Sequence, residues 1–298
     1  MARNTTEIVC IGSALWDVIG RTASHMRVGS DVPGRITRIP GGVVLNIAMT
    51  LRRFGLRPVL LTAIGRDSNG TALVVEVERM GIRTDCIYRS DDLPTDVYMA
   101  IEGANGLIAA IADAHSLEAA GNKILAPLTD GRLGSLPAPF DGTIALDGNL
   151  TAALLTEIAT QTAYAQADLR VAPASPGKAE RLMALLDHPS ATFYVNLEEA
   201  GLICQTVFDG AEAAAAALVR RGVARALVTD GARPAAEATP DGSRTRVPPE
   251  VLVTRVTGAG DTFMAAHIAA ELDGAAPETA LKAALDAAAA YVSGETPL

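Results

Sequence analysis

The chain has 298 residues, of which 49% are hydrophobic and 20% are charged, and its formal net charge at pH 7 is −9. This composition predicts a soluble globular protein with one large core, and we treat residues 1–298 as a single domain. The negative charge and the lack of a basic stripe with interleaved aromatic residues exclude nucleic-acid polymers as expected partners. A small molecule is the expected ligand.

Three scattered cysteines, Cys10, Cys86 and Cys204, form no CxxC motif. They indicate buried thiols in a reducing compartment rather than a disulfide framework or a zinc site. The residues before Glu7 lack the apolar stretch of a signal peptide, and no segment approaches the roughly 18 apolar residues of a membrane span. We therefore expect no membrane association and a cytoplasmic location.

Short β-rich runs alternate with helical patterns along the chain. The predicted strands are 7–14, 58–65, 143–148, 192–197 and 225–231, several of them apolar on both faces. The predicted helices are 44–55, 68–81, 151–163, 175–186 and 210–222. Repeated βα units predict an α/β fold with a doubly wound, mostly parallel sheet flanked by helices.

Two segments interrupt this alternation. Residues 16–41 are rich in Gly, Pro, Arg and Ser, and residues 95–113 contain two strand patterns around a Gly-Ala-Asn-Gly turn. Together they predict a small β-sheet that covers a site as a lid, because long insertions in compact domains are usually functional. Lid sheets with exposed edges often pair, so a homodimer through the lid is expected. Trp16 either stacks on a ligand or anchors the lid.

The chemistry is concentrated late in the chain, at Thr257-Gly258-Ala259-Gly260-Asp261. Helix N-termini carry unpaired N–H donors, and small residues let an anion approach them, so the amides of Gly258, Ala259 and Gly260 predict an anion hole. Asp261 would repel a bound phosphate unless it accepts a proton from an attacking hydroxyl. This pair of features is typical of phosphoryl transfer. The alternative is that the Gly and Asp residues simply cap a helix.

Other nucleotide-binding motifs do not match. A P-loop of the form G-x-x-x-x-G-K-[ST] is absent, and Phe263 occupies the third glycine position of a dinucleotide-binding fingerprint.

Four motifs in order give a more specific indication. They are Gly41-Gly42-Val-Val-Leu-Asn46, Gly65-Arg-Asp67-Ser-Asn-Gly70, Asn196-Leu-Glu-Glu199 and Val256-Thr-Gly-Ala-Gly-Asp-Thr-Phe263. This set resembles the PfkB or ribokinase family of small-molecule kinases. The resemblance implies a ribokinase-like fold, a kinase activity with an alcohol as acceptor, and ATP and Mg²⁺ as cofactors.

The resemblance also implies roles for residues around the acceptor. Asp17, Gly42 and Asn46 are expected to bind sugar hydroxyls, and Tyr98 in the lid is expected to cover the substrate. Asp261 is the expected catalytic base. Asp67 is expected to cap the helix that follows it rather than to take part in catalysis.

On the nucleotide side, the resemblance implies that Asn196 and Glu199 order Mg²⁺ through its water shell, with no direct protein ligand to the metal. Thr229 and Gly231 are expected to approach the phosphates. Lys178 either reaches a nucleotide phosphate or is a solvated helix residue.

Three residues depart from the family pattern. Asp230 stands where an apolar residue is usual, and Pro234 stands where a second glycine is usual, which puts nucleotide affinity or the loop path in question. Arg255 replaces an Asp implicated in a monovalent-cation site. Because a guanidinium cannot ligate K⁺, potassium activation is not expected.

The acceptor is indicated by the lid segment 96–113, which resembles the pseudouridine kinase branch of the family. The 5′-hydroxyl of pseudouridine is therefore the expected nucleophile. Two alternatives stay open: a ribokinase- or fructokinase-like enzyme for free sugars, and a non-catalytic sensor of a nucleoside or sugar.

Overall fold

A computed structural model of the chain describes residues 6–27, 29 and 31–295. Its strands are Glu7–Ile11 (β1), Leu15–Arg21 (β2), Arg35–Gly41 (β3), Arg57–Leu61 (β4), Ala63–Gly65 (β5), Tyr88–Ser90 (β6), Val97–Gly103 (β7), Gly106–Asp113 (β8), Thr143–Asp147 (β9), Asp168–Ala172 (β10), Thr192–Asn196 (β11), Arg225–Asp230 (β12), Arg233–Thr239 (β13) and Gly242–Arg246 (β14).

The α-helices are Val43–Arg53 (α1), Ser68–Arg79 (α2), Ser116–Ala120 (α3), Ala152–Thr160 (α4), Leu197–Cys204 (α5), Ala211–Arg220 (α6), Ala259–Leu272 (α7) and Pro277–Ser293 (α8), and two 3₁₀ segments span Gly121–Leu128 and Pro176–Leu185. No helix in the described part of the chain has both the length and the apolar character needed to cross a bilayer.

The main sheet has the strand order β14-β13-β12-β11-β10-β9-β1-β4. Strands β4, β1, β9, β10, β11 and β12 are parallel, whereas β13 and β14 add an antiparallel edge. The carboxyl ends of the six parallel strands therefore share one edge of the sheet, where ligands bind in open α/β folds.

Helices cover both faces of this sheet. Along β1, Val9 and Ile11 belong to one buried cluster while Ile8 and Cys10 belong to the other, because successive side chains of a strand point to opposite faces. Helices α4, α5 and α6 contribute to the first cluster, and α1, α7 and α8 contribute to the second. The doubly wound, mostly parallel α/β prediction is confirmed.

The predicted strands and most predicted helices are present, with four main differences. The predicted strand 58–65 is divided in two, because β4 joins the main sheet whereas β5 pairs with β6 in a separate two-stranded sheet. Strand β10 lies outside the predicted strands because its Asp168 and Arg170 look like surface residues. The Arg170 side chain is only 11% exposed: it pairs with Asp168 at 2.7 Å and donates to Tyr194 Oη at 3.0 Å. The Ala-rich strand β13 and the polar strand β14 have weak strand propensity and are also absent from the prediction. The predicted helix 175–186 is 3₁₀ rather than α.

A separate four-stranded sheet, which we call the small sheet, has the order β3-β2-β7-β8. Its strands come from the two segments predicted to form a lid. Trp16 anchors it: the ring is 5% exposed, its Nε1 donates to the Asn69 carbonyl at 2.9 Å, and the Arg38 guanidinium lies 3.9 Å from its centroid. Of the two roles considered for Trp16, the structure shows the anchoring one.

Asp67 ties the same region together. It caps α2 by accepting from Gly70 N at 2.6 Å, as expected, and it also accepts from the backbone and hydroxyl of Thr95, just before β7. The Gly65–Gly70 motif therefore supports the base of the small sheet.

Candidate active site

Helix α7 begins at a turn that only glycine can form. Gly258, the N-cap, has φ +88°, and a Cβ added to it would lie 2.5 Å from the Tyr291 hydroxyl oxygen. Both the left-handed backbone and the close contact exclude a side chain. In front of Gly260, by contrast, a Cβ would meet no atom within 4 Å, so the backbone here faces open space.

The amides of this turn differ in their bonding. Ala259 N already donates to Val256 O at 3.0 Å. Within the described residues, the Gly258 and Gly260 amides have no hydrogen-bond acceptor. Of the three amides predicted to form an anion hole, two are thus available at the positive end of a 14-residue helix, and the third must share its existing bond.

Asp261 lies in the first turn of α7, and Asn46 Nδ2 of α1 donates to its Oδ2 at 3.0 Å. The pKa of the Asp261 carboxyl is raised to about 7: burial is the largest cause, the Asn46 hydrogen bond opposes the rise, and the negative charges of Asp147 and Glu199 add to it. A carboxyl group with this pKa exchanges protons near neutral pH, as a general base must. The structure thus places Asp261 and Asn46 together.

The start of α1 is held by a residue that the sequence analysis did not assign. Asp147, at the end of β9, is fully buried, and its carboxylate accepts from Ser13 N (2.8 Å), Ser13 Oγ (2.7 Å), Val44 N (3.0 Å) and Asn149 N (2.8 Å). It fixes the first turn of α1 to the carboxyl ends of β1 and β9. Its position at the end of an apolar strand was the feature of the sequence that could have identified it.

Gly42 and Gly12 permit this close packing. Gly42 has φ +101°, and a Cβ there would lie 2.5 Å from the Ser13 carbonyl oxygen. A Cβ on Gly12 would lie 2.4 Å from the carboxyl carbon of Asp147. Gly42 backbone and Asn46 side chain therefore lie on one turn of α1 at the sheet edge.

Asp17 and Tyr98 lie side by side on the small sheet. They are paired in register on β2 and β7, so their side chains share a face. The Asp17 carboxylate lies against Gly41, since a Cβ added to Gly41 would lie 1.9 Å from Asp17 Oδ2. Burial raises the pKa of Asp17 to about 6. The described residues give this carboxylate no hydrogen-bond donor, so its oxygens can accept from a ligand.

The predicted nucleotide-side residues end two neighbouring strands. Asn196 and Thr229 are paired in register at the ends of β11 and β12. Asn196 and Glu199 form a capping box at the start of α5: Asn196 Oδ1 accepts from Glu199 N at 2.9 Å, and Glu199 Oε2 accepts from Asn196 N at 2.8 Å. Glu199 is 7% exposed and burial raises its pKa. Gly231 is exposed in the β12–β13 turn with φ +58°.

The unusual residues near this turn have clear structural roles. Arg233 pairs with Asp230 at 2.8 Å and donates to the Asp209 carbonyl at 3.1 Å, which closes a tight β12–β13 turn. Pro234 lies in the exposed start of β13. Asp230 therefore stabilises the turn instead of filling an apolar position.

Lys178 is half-buried and hydrogen-bonded to a neighbouring side chain. Its Nζ donates to Asn149 Oδ1, and Asn149 Nδ2 donates to Ser13 Oγ at 2.9 Å. This chain of contacts leads from the 3₁₀ segment after β10 to the start of α1. In the described part of the chain, no group of three or more His, Cys, Asp or Glu side chains could hold a metal ion directly.

Comparisons with known proteins identify the family of this chain. Residues 5–296 match the model of the pfkB family carbohydrate kinases. A segment of 112 residues is 30% identical to the pseudouridine kinase of Escherichia coli, covering 37% of this chain and 36% of that enzyme. The alignment thus spans only about a third of this curated relative.

Solved structures show the ribokinase-like fold. A carbohydrate kinase from Agrobacterium tumefaciens gives a TM-score of 0.82 at 24% identity, covering 98% of this chain and 94% of that one. A ribokinase from Arabidopsis thaliana, complexed with ribose and ATP, gives 0.77 at 19% identity, covering 97% and 93%. Because the family match extends over nearly the entire chain, this protein belongs to the pfkB family of carbohydrate kinases, a family of phosphotransferases.

Proposed function

We propose that this kinase uses ATP and Mg²⁺ to phosphorylate a primary hydroxyl of a nucleoside or sugar, with the 5′-hydroxyl of pseudouridine as the leading candidate. One observation carries the proposal: the Asp261 carboxyl, whose pKa is raised to about 7, is hydrogen-bonded to Asn46 beside unpaired helix amides. This combination provides a base and an anion hole at one point.

The proposed reaction follows from these groups. The acceptor oxygen forms a bond to the γ-phosphorus of ATP, the bond from that phosphorus to the β,γ-bridging oxygen breaks, and the hydroxyl proton passes to Asp261. The amides of Gly258 and Gly260 donate to the oxygens of the moving phosphoryl group, and Ala259 contributes when its bond to Val256 is shared. Loss of one such donor typically costs about 10²–10³ in rate.

The acceptor is proposed to lie between α1 and the small sheet. Asp17 accepts hydrogen bonds from sugar hydroxyls, while the Gly42 backbone and the Asn46 amide approach them from the other side. Tyr98 shares the Asp17 face of the small sheet, so it can cover the base. In this proposal the small sheet is a lid, formed by residues within about 16–41 and 95–113, on a single domain.

On the nucleotide side, Thr229 and the Gly231 backbone are proposed to contact the phosphates. Glu199 and Asn196 suit an indirect role with Mg²⁺, because the Asn196 oxygen and one Glu199 oxygen already accept hydrogen bonds in the capping box. The charge of Glu199 still acts on Asp261. Magnesium keeps several waters, and such contacts can pass through them. When bound, it neutralises charge on the phosphate oxygens.

The nucleoside is favoured over a free sugar by the similarity to pseudouridine kinase, together with the lid segment. A panel of pseudouridine, uridine, ribose and fructose with Mg²⁺-ATP tests this, using ADP release and product mass. We expect pseudouridine to give the highest kcat/KM. Phosphorylation of ribose or fructose but not of pseudouridine would establish the sugar-kinase alternative.

The sensor alternative is motivated by Arg255, Asp230 and Pro234, which depart from the family pattern. Tight acceptor binding in calorimetry with no ADP release would favour it. The Asp261–Asn46 contact argues against it, since a half-buried carboxyl with a raised pKa destabilises the ionised protein and has no evident use in a sensor.

We also propose that the protein is a homodimer in which the small sheets face each other. The face opposite Asp17 exposes four large apolar side chains, Ile36 (76%), Met99 (46%), Ile101 (38%) and Ile111 (69%), and apolar groups exposed together on one face often mark an interaction surface. Light scattering should give twice the chain mass, and Ile111→Lys should give a monomer. The matched control Val207→Lys, at a position 96% exposed elsewhere, should remain dimeric. A monomeric unmodified protein would refute this.

We place the protein in the cytoplasm, where ATP is available. Its cysteines support this: Cys10, Cys86 and Cys204 are all free thiols.

A further inference from the structure

The C-terminal end of α8 binds the segment that leads into the anion-hole turn. Val292 O accepts from Thr254 N at 2.8 Å, from Thr254 Oγ1 at 3.0 Å and from Arg255 N at 3.2 Å. Carbonyl groups at this end of a helix are left without intrahelical donors and carry the negative end of the helix dipole. The turn is therefore attached to a surface that favours positive charge.

Arg255 supplies that charge. Its Nε donates to Tyr291 O at 2.7 Å, and its guanidinium carbon lies 3.9 Å from the centroid of the Tyr291 ring. A guanidinium over an aromatic face is attracted by the negative face of the ring. Arg255 thus binds the carbonyl and the ring of one residue together.

Tyr291 transmits this contact to the anion hole. Its hydroxyl donates to Thr257 O at 2.9 Å, and the same oxygen occupies the space that a side chain on Gly258 would need. The ring position therefore determines the path of the backbone between Thr257 and Gly258. A displaced ring would leave both the Thr257 carbonyl and the Gly258 amide free to reorient.

We infer that Arg255 is a positioning residue for phosphoryl transfer, acting through Tyr291 as a permanently bound cation that orders the anion-hole turn. The predicted effect of Arg255 on catalysis rests on the proposed function, whereas its predicted effect on the order of the turn does not. Carbonyl oxygens are the groups that hold monovalent cations in proteins. Here the Tyr291 and Val292 carbonyls are already bound by N–H donors of the chain, so neither the order of the turn nor turnover depends on added K⁺.

The first test needs no variant. Hydrogen exchange of the peptide 254–262 is compared in KCl, NaCl and tetramethylammonium chloride at equal ionic strength. We expect the exchange rates to agree within about twofold in all three salts, because the donors that occupy the carbonyls belong to the chain. Exchange slowed fivefold or more by K⁺ would show that the turn binds a metal ion and would overturn the inference. This result is independent of whether the protein phosphorylates any acceptor.

The second test removes the cation. Arg255→Met keeps most of the side-chain length without the charge, Arg255→Lys restores the charge, and Arg79→Met is the control at an arginine whose side chain is 70% exposed. We expect Arg255→Met to speed exchange of peptide 254–262 about tenfold, to lower kcat about 10–100-fold with the acceptor KM within threefold, and to recover partly with added guanidinium ion. Arg255→Lys should be intermediate.

Unchanged exchange in Arg255→Met, or loss of activity through the acceptor KM alone, would overturn the positioning role. If Arg255→Met does not fold, the salt comparison on the unmodified protein still decides the question. If the unmodified protein releases no ADP with any acceptor, the proposed function fails, while the exchange data still test the role of Arg255.

Discussion

Replacing Asp261 with Asn removes the proposed base while keeping the shape of the side chain. The amide oxygen of the introduced side chain can still accept from Asn46, which donates to Asp261 at 3.0 Å in the unmodified protein. Loss of a general base typically costs about 10²–10⁴ in rate, so Asp261→Asn should lower kcat by at least about 100-fold. The affinity for the acceptor should change little, because the contacts from Asp17 and the α1 turn remain.

The same change should raise stability at alkaline pH. The pKa of Asp261 is raised from 3.8 to about 7, and at about 1.36 kcal/mol per unit this corresponds to roughly 4 kcal/mol against the ionised form. Partial exposure and solvent screening reduce this to about 2 kcal/mol. Because the folded protein holds this proton more tightly than the unfolded chain does, the stability of the folded state is highest below pH 3.8. That stability is lost progressively as the pH rises through about 7. Asp261→Asn avoids that loss.

Thermal melting between pH 5 and pH 8.5, together with ADP release at saturating substrates, measures both effects. At pH 8 the variant should melt roughly 3–6 °C above the unmodified protein, and at pH 5 the difference should be less than half as large. Asp241→Asn, at an exposed turn position, is the control and should change neither quantity. Turnover within tenfold of the unmodified protein, or a lower melting temperature at pH 8, would refute the assignment of Asp261.

Three further predictions concern the same site. Asp17→Asn should raise the acceptor KM about 10–100-fold with a smaller effect on kcat, since a charge-assisted hydrogen bond contributes about 1.5–3 kcal/mol; an unchanged KM in steady-state kinetics would exclude this contact. Gly258→Ala should lower kcat and destabilise the protein by about 2–3 kcal/mol in denaturant titration. The control Gly55→Ala has a similar φ of +89° but no atom within 4 Å of the added Cβ, so it should cost only about 1 kcal/mol. Equal losses of stability would show that the Tyr291 contact is unimportant. Because burial raises the pKa of Asp261 to about 7 and that of Asp17 to about 6, kcat/KM should rise at least about tenfold from pH 5 to pH 7 and level off above pH 8, and a flat profile would contradict both roles.

The sequence predicted much of the fold because strand burial and helix starts depend mainly on residues that are neighbours in the chain. The two-sided apolar strand β1 and the glycines at helix starts have few structural interpretations, and the four motifs place Gly42, Asn46 and Asp261 on helix first turns. What the sequence could not show is how distant segments meet. The contact between Asn46 and Asp261 joins residues 215 positions apart and depends on α1 packing beside α7.

Other features were missed for physical reasons. Asp147 resembles an ordinary strand-end cap, and only the fold reveals that it collects four donors from three segments. Arg170 in β10 looks solvent-exposed, yet it is neutralised by acidic partners on β10 and α7. Arg255 could be identified as unusual from the motif alone, but its binding to Tyr291 follows from where α8 ends.

A crystal structure with the acceptor, ADP, Mg²⁺ and fluoroaluminate would test the central claim most directly, because planar fluoroaluminate mimics the phosphoryl group in transfer. The account predicts fluorides within about 2.7–3.1 Å of the Gly258 and Gly260 amides, with the Asp261 carboxylate within hydrogen-bond distance of the acceptor hydroxyl. Fluoroaluminate bound away from the start of α7, or an Asp261 side chain directed away from the hydroxyl, would contradict it.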